Sequence, residues 1–140
     1  SVSASWTGGR LGTGAIKANG LEVEISIPAE MNGSGVGTNP EELLISAAAN
    51  CYIITLAAIL ERKQIEAEIA LTSEGTVVVE GGKQRFASIV HKPVITVKEA
   101  DEERQQLIEQ STHRAEVACM ISKAMRGNVE ITVEPTVKAG

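Results

Sequence analysis

From Leu43 to Leu60 the chain runs 18 residues without a charge, inside the segment Asn39–Arg62, NPEELLISAAANCYIITLAAILER. No other stretch could form so long an apolar surface, so the fold must be arranged around it. Asn39 is a good N-cap, Pro40 suits the first helical position, where no amide donor is needed, and Glu42 completes a capping-box pattern. A helix beginning at residue 39 or 40 is predicted. Ser46, Asn50 and Thr55 are the only clearly polar side chains in the run, so nearly every face is apolar or small, and such a helix is expected to be buried all round. Cys51 sits near its middle. The run touches the lower length bound for a membrane span. Its alanine content, its amide and two hydroxyls, and the lack of a basic flank at its start favour the central helix of a core instead.

The 140 residues are expected to form one domain, 1–140, long enough to bury a core. With 13 basic against 18 acidic residues the net charge is −5, which leaves no electrostatic footprint for nucleic acid or an anionic membrane. Trp6, Tyr52 and Phe86 are the only aromatic residues, too few for a base-stacking platform. The start, SVSASWTGG, lacks the basic and apolar regions of a secretory signal, so the expected location is the cytoplasm. There a plain structural disulfide would be kept reduced, and any bond between Cys51 and Cys119 would be transient and chemical. No CxxC, HExxH or clustered-histidine pattern is present, and His91 and His113 stand apart in sequence, so no metal or cofactor is expected.

Alternation in Ser3 to Thr7, Thr13 to Lys17 and Leu21 to Ile27 predicts three short strands, the last two joined by an Asn19-Gly20 hairpin turn. Pro28 ends the third. The glycine-bearing loop AEMNGSGVGT then lets the backbone pass close to other elements rather than cradling a phosphate, since no Lys-Ser/Thr follows it. After the helix, alternation returns from Ile65 to Val79 around an expected bulge at Glu74-Gly75, and Gly81-Gly82 turns the chain. Gln84 to Val97 reads as the partner strand, with Pro93 marking a bulge or an edge and His91 a surface position. A second helix is expected from about Ala100 or Asp101 to Ala118, continued or restarted after Cys119 and stopped by Gly127, before a last strand from Val129 to Val137. The order βββ-α-ββ-α-β gives an α+β domain, two helices packed on mostly antiparallel sheet.

A buried cysteine is inert unless something stabilises its thiolate, because apolar surroundings raise the thiol pKa. Two unreactive core cysteines are therefore the plain alternative. Against it, Thr7-Gly8-Gly9-Arg10 offers a guanidinium on a tight turn, and Glu41-Glu42 open the helix that carries Cys51. Arginine supplies a charge that burial does not remove, and a glutamate can fix its fork in one orientation. Glu42 itself reads as a cap.

TGGR, the helix start GTNPEELL, a cysteine ten residues after Glu41, and a second cysteine followed later by SKAMRGNVEITV together resemble the OsmC/Ohr family of organic hydroperoxide reductases. The resemblance runs from Trp6 to Val137, and TGGR is closer to the Ohr branch. It implies an OsmC/Ohr-like fold, an intertwined homodimer, and a thiol-dependent peroxidase that reduces bulky apolar organic hydroperoxides without a metal and is re-reduced through dihydrolipoyl groups or a lipoylated protein. It also implies roles: Cys51 as peroxidatic cysteine, Cys119 as resolving cysteine, Arg10 as the thiolate-stabilising guanidinium and Glu41 as its orienting carboxylate. Attack on peroxide would leave a sulfenic acid at Cys51, which a Cys51–Cys119 disulfide then resolves.

The chain departs from the Ohr pattern at Met120-Ile121, where Pro-Tyr is usual, and at Glu116, where the family has histidine. Ten residues along an unbroken helix is about 15 Å, a long way for Glu41 to act at Cys51 of its own chain. Either the helix breaks, or Arg10 and Glu41 of one subunit serve the Cys51 of the other. A non-enzymatic thiol switch and a structural dimer with inert cysteines are the competing readings.

Overall fold

The computed structural model describes Ser1–Gly140 and divides into two units, Ser1–Leu44 and Ile45–Gly140. In the first unit β1 (Ser3–Thr7), β2 (Thr13–Ala18) and β3 (Leu21–Ile25) form an antiparallel meander. Ala18 pairs with Leu21, so Asn19-Gly20 makes the expected two-residue turn. Beyond β3 the chain folds back on itself. The Ser26 N–H donates to the Thr38 carbonyl and the Thr38 N–H to that of Glu24, and a side chain at Gly37 would collide with the Glu24 carbonyl oxygen. Its φ of +70° is also one that favours glycine, so this position answers to the close approach read from the sequence.

α1 (Pro40–Arg62) starts where the sequence places it and runs unbroken for 23 residues. Asn39 Oδ1 accepts from the Glu42 backbone N–H at 2.9 Å, and the Asn39 side-chain amide donates to Glu42 Oε1 at 2.9 Å. This differs from the usual capping box, in which the carboxylate returns to the cap residue's backbone N–H.

In the second unit β4 (Glu68–Glu80) and β5 (Lys83–Val97) form a long antiparallel hairpin turned by Gly81-Gly82. The bulge lies at Thr76/Val77, with Ala87 the extra residue, rather than at Glu74-Gly75. α2 (Glu102–Ala118) is capped by Asp101, whose side chain accepts from the Arg104 N–H, and a separate helix, α3 (Met120–Met125), follows. The expected final strand is two strands, β6 (Glu130–Val133) and β7 (Thr136–Ala139), both parallel to β5. Pro93 marks neither bulge nor edge. It is buried in this central strand, at the seam between Ser88–His91, which pair with β6, and Val94–Val97, which pair with β7. The missing donor falls where the parallel ladder lapses.

The core joins Tyr52, Leu56, Ile59 and Leu60 of α1 to Ile65, to Ile95 and Val97 of β5, and to Ile108 and Ala115 of α2. The expected α+β architecture holds, with a helix more and a strand more than the sequence suggested. α1 is long and apolar enough to cross a membrane, its most apolar 18 residues having a mean hydropathy of 2.1, and its inner face is spent on this core. It is not buried all round, however. Ala47, Asn50, Ile54, Ala57 and Ala58 recur at helical spacing along one exposed stripe, and Ile54 is 63% exposed.

Candidate active site

Cys51 lies in the middle of α1, half-buried, and Cys119 lies wholly buried where α2 ends; both thiols are free. Helical geometry puts Thr55 one turn beyond Cys51. The Thr55 hydroxyl donates to the Cys51 carbonyl at 2.7 Å, and its oxygen stands 4.0 Å from Cys51 Sγ. Cys119 has extended backbone angles, φ −63° and ψ 123°, and so serves as both the last cap of α2 and the first cap of α3. Its sulfur accepts from the Ser122 N–H at 3.5 Å.

The two sulfurs come together at this corner. Burial pushes the Cys51 thiol up, but the Cys119 thiol, the backbone N–H groups of Ile121 and Met120, and the Thr55 hydroxyl all favour the thiolate and bring its pKa below the ordinary value. Backbone amides at the start of α3 thus join Cys119 in favouring the thiolate. Glu116 pairs with Arg126 at 3.4 Å and ties the end of α2 to the end of α3.

The other sequence-derived candidates lie in the first unit. Arg10 is exposed, and its Nη2 donates to the Met31 carbonyl at 2.6 Å. Glu41 stands in the first turn of α1 with Oε2 buried and unpartnered. No ion pair joins Arg10 to Glu41 within the chain. No cluster of three or more His, Cys, Asp or Glu is placed to hold a metal.

His91 departs most from its sequence reading. It is fully buried, not a surface residue. The alternation Ile89, His91, Pro93, Ile95, Val97 puts it on the apolar face of β5, and that signal was available in the sequence. Its ring lies flat on Tyr52, with centroids 4.4 Å apart and planes 12° apart, and Nδ1 shares a 2.7 Å hydrogen bond with Ser73 Oγ. Nε2 has no partner, and burial lowers the imidazole pKa to about 4, so the ring is neutral. Thr55, Ser122 and the α3 amides were also missed. Only Thr55, four residues from Cys51, could have been found from spacing.

A family model described as OsmC-like protein matches residues 32–134. The uncharacterized protein YmaD of Bacillus subtilis is 45% identical over 99% of this chain and 94% of its own length. The organic hydroperoxide resistance protein of Xanthomonas axonopodis pv. citri is 31% identical, covering 93% of this chain and 89% of its own. Among solved structures, OhrB of Bacillus subtilis, an organic hydroperoxide resistance protein, superposes with a TM-score of 0.69 at 26% identity, over 97% of this chain and 98% of that one. An OsmC-like protein of unknown function from Vibrio cholerae shares the fold, with a TM-score of 0.78 at 17% identity over 96% and 98%. A match across most of the chain settles the kinship: this protein belongs to the OsmC/Ohr family.

Proposed function

We propose that residues 1–140 act as one functional domain, a thiol-dependent peroxidase that reduces organic hydroperoxides to alcohols in defence against oxidative stress. The observation that carries this reading is the corner at which Cys51, its pKa lowered, meets the free thiol of Cys119. The Cys51 thiolate attacks the terminal peroxide oxygen. The O–O bond breaks, the alkoxide takes up a proton and leaves as the alcohol, and Cys51 keeps the oxygen as a sulfenic acid. The Cys119 thiol then attacks the Cys51 sulfur, water leaves, and the disulfide forms; a dithiol such as a dihydrolipoyl group restores both thiols. No cofactor takes part. Relatives named for organic hydroperoxide resistance support the substrate class.

Arg10 and Glu41 keep the roles the resemblance implies. The buried, unpartnered Glu41 Oε2 supports this, as a carboxylate oxygen left to receive a cation. Because α1 does not break, the reading favoured is a homodimer in which these two residues serve the partner's sulfur. The exposed α1 stripe and the 72% exposed Leu11 are apolar surface that a second copy would cover. A cytoplasmic location suits a catalyst whose thiols must be returned to the reduced state.

One observation favours a thiol switch instead: Cys119 caps α3, so its oxidation alters a structural bond. Turnover separates the two. Catalytic consumption of cumene hydroperoxide with a dithiol, abolished in Cys51→Ser, establishes the peroxidase. A single stoichiometric oxidation establishes the switch.

A further inference from the structure

Tyr52 follows Cys51 directly and is completely buried, yet it keeps a phenol hydroxyl that a core position does not need. Two elements meet on it directly and a third behind them. Its ring rests on His91 of β5, itself held by Ser73 of β4. Its hydroxyl donates to the Thr112 carbonyl of α2 at 2.8 Å. Thr112 lies seven residues, about two helical turns, before Cys119. Burial, and secondarily the nearby Glu116 carboxylate, push the Tyr52 phenol up, so the group stays protonated and keeps donating.

We propose that Tyr52 is a positioning residue for disulfide closure: seated on His91 and tied to the Thr112 carbonyl, it fixes the spacing between the α1 turn that carries Cys51 and the end of α2 that delivers Cys119. Sulfur meets sulfur only within a narrow range of distance and angle, and the Cys119 backbone is set by the last turns of α2. The bond to the Thr112 carbonyl ties the residue after Cys51 directly to that helix. Tyr52 is fully buried and offers no surface to a substrate, so the proposal leaves the rate of the first oxidation unchanged. The proposal rests on the Cys51–Cys119 chemistry given above.

Tyr52→Phe keeps the ring and its seat on His91 and removes only the bond to Thr112. In rapid-quench experiments with cumene hydroperoxide, followed by intact mass, the gain of one oxygen should appear at the wild-type rate. The later loss of two hydrogens should be roughly tenfold slower, in line with the cost of a misplaced reacting group. A structural role alone would slow both steps or neither. An equilibrium measurement removes the dependence on peroxide chemistry. Titrated against glutathione, the Tyr52→Phe disulfide should be about tenfold easier to reduce, a rise of about 30 mV in potential. That titration judges Tyr52 even where Cys51 proves inert to hydroperoxide, a result that would sink the peroxidase reading alone. Closure at the wild-type rate together with an unchanged glutathione equilibrium would overturn the proposal, as would failure of the wild-type pair to form a disulfide with glutathione.

Discussion

The imidazole of His91 lies parallel to the ring of Tyr52, 4.4 Å away, with one nitrogen bonded to Ser73 and the other facing the interior without a partner. A ring held this way cannot take a proton without placing an uncompensated charge in the core. Its pKa in the folded chain, about 4, lies below the ordinary 6.5. The unfolded chain therefore binds the proton more readily. The contribution to stability is complete above about pH 6.5 and is lost as the pH falls toward 4, on the order of 3 kcal/mol in all. Urea unfolding midpoints should drop across that window, and His91→Phe, which keeps the stack and removes the titrating group, should flatten the drop. An equally steep profile in the variant would assign the acid sensitivity to other groups.

Thr55 is the member of the sulfur site most easily separated from the fold. Thr55→Val keeps the shape and deletes a hydroxyl that favours the Cys51 thiolate. Alkylation of Cys51 by iodoacetamide at neutral pH should slow by up to about fivefold, the worth of roughly one hydrogen bond. Its pH profile should move to higher pH, with the unfolding midpoint nearly unchanged. A profile that stays in place would show that Thr55 does not support the thiolate.

Ile54, one turn from Cys51 and 63% exposed, tests the homodimer. Ile54→Glu should shift the sedimentation coefficient toward the monomer while preserving the circular dichroism of the fold, because the residue has no place in the core. A variant that still sediments as a dimer would move the interface off this stripe.

Leu56, fully buried in the same helix, provides the contrast. Leu56→Ala should destabilise the protein by about 2–5 kcal/mol through lost burial and the cavity left behind, measured by denaturant unfolding. A smaller loss would show that α1 and α2 close over the gap.

The start of α1, the Asn19-Gly20 turn and the long hairpin could be read from sequence because each is local: a cap, a turn pair and a period of two carry their own signals. The bulge was misplaced, since the glycine expected to mark it instead pairs regularly with Ile89 while Ala87 takes up the extra residue. Val129 to Val137 looked like one strand because alternation continues through Pro135, whose effect on pairing depends on β5. The two cysteines were legible as a pair by their place in a family pattern. Their surroundings were not. The amides that face Cys51 belong to residues 69 and 70 positions further on, and no spacing rule spans such a distance. Burial of α1 was overstated because its exposed stripe is, Asn50 apart, built of small and apolar residues, which composition does not distinguish from a core.

The sulfur of Cys119 holds the Ser122 amide at the head of α3. Drawing that atom into a covalent bond weakens its lone-pair donation, so a change in oxidation state is written into the backbone of six following residues. Hydrogen–deuterium exchange would read it there, in faster labelling from Met120 to Met125, without any probe attached to either thiol.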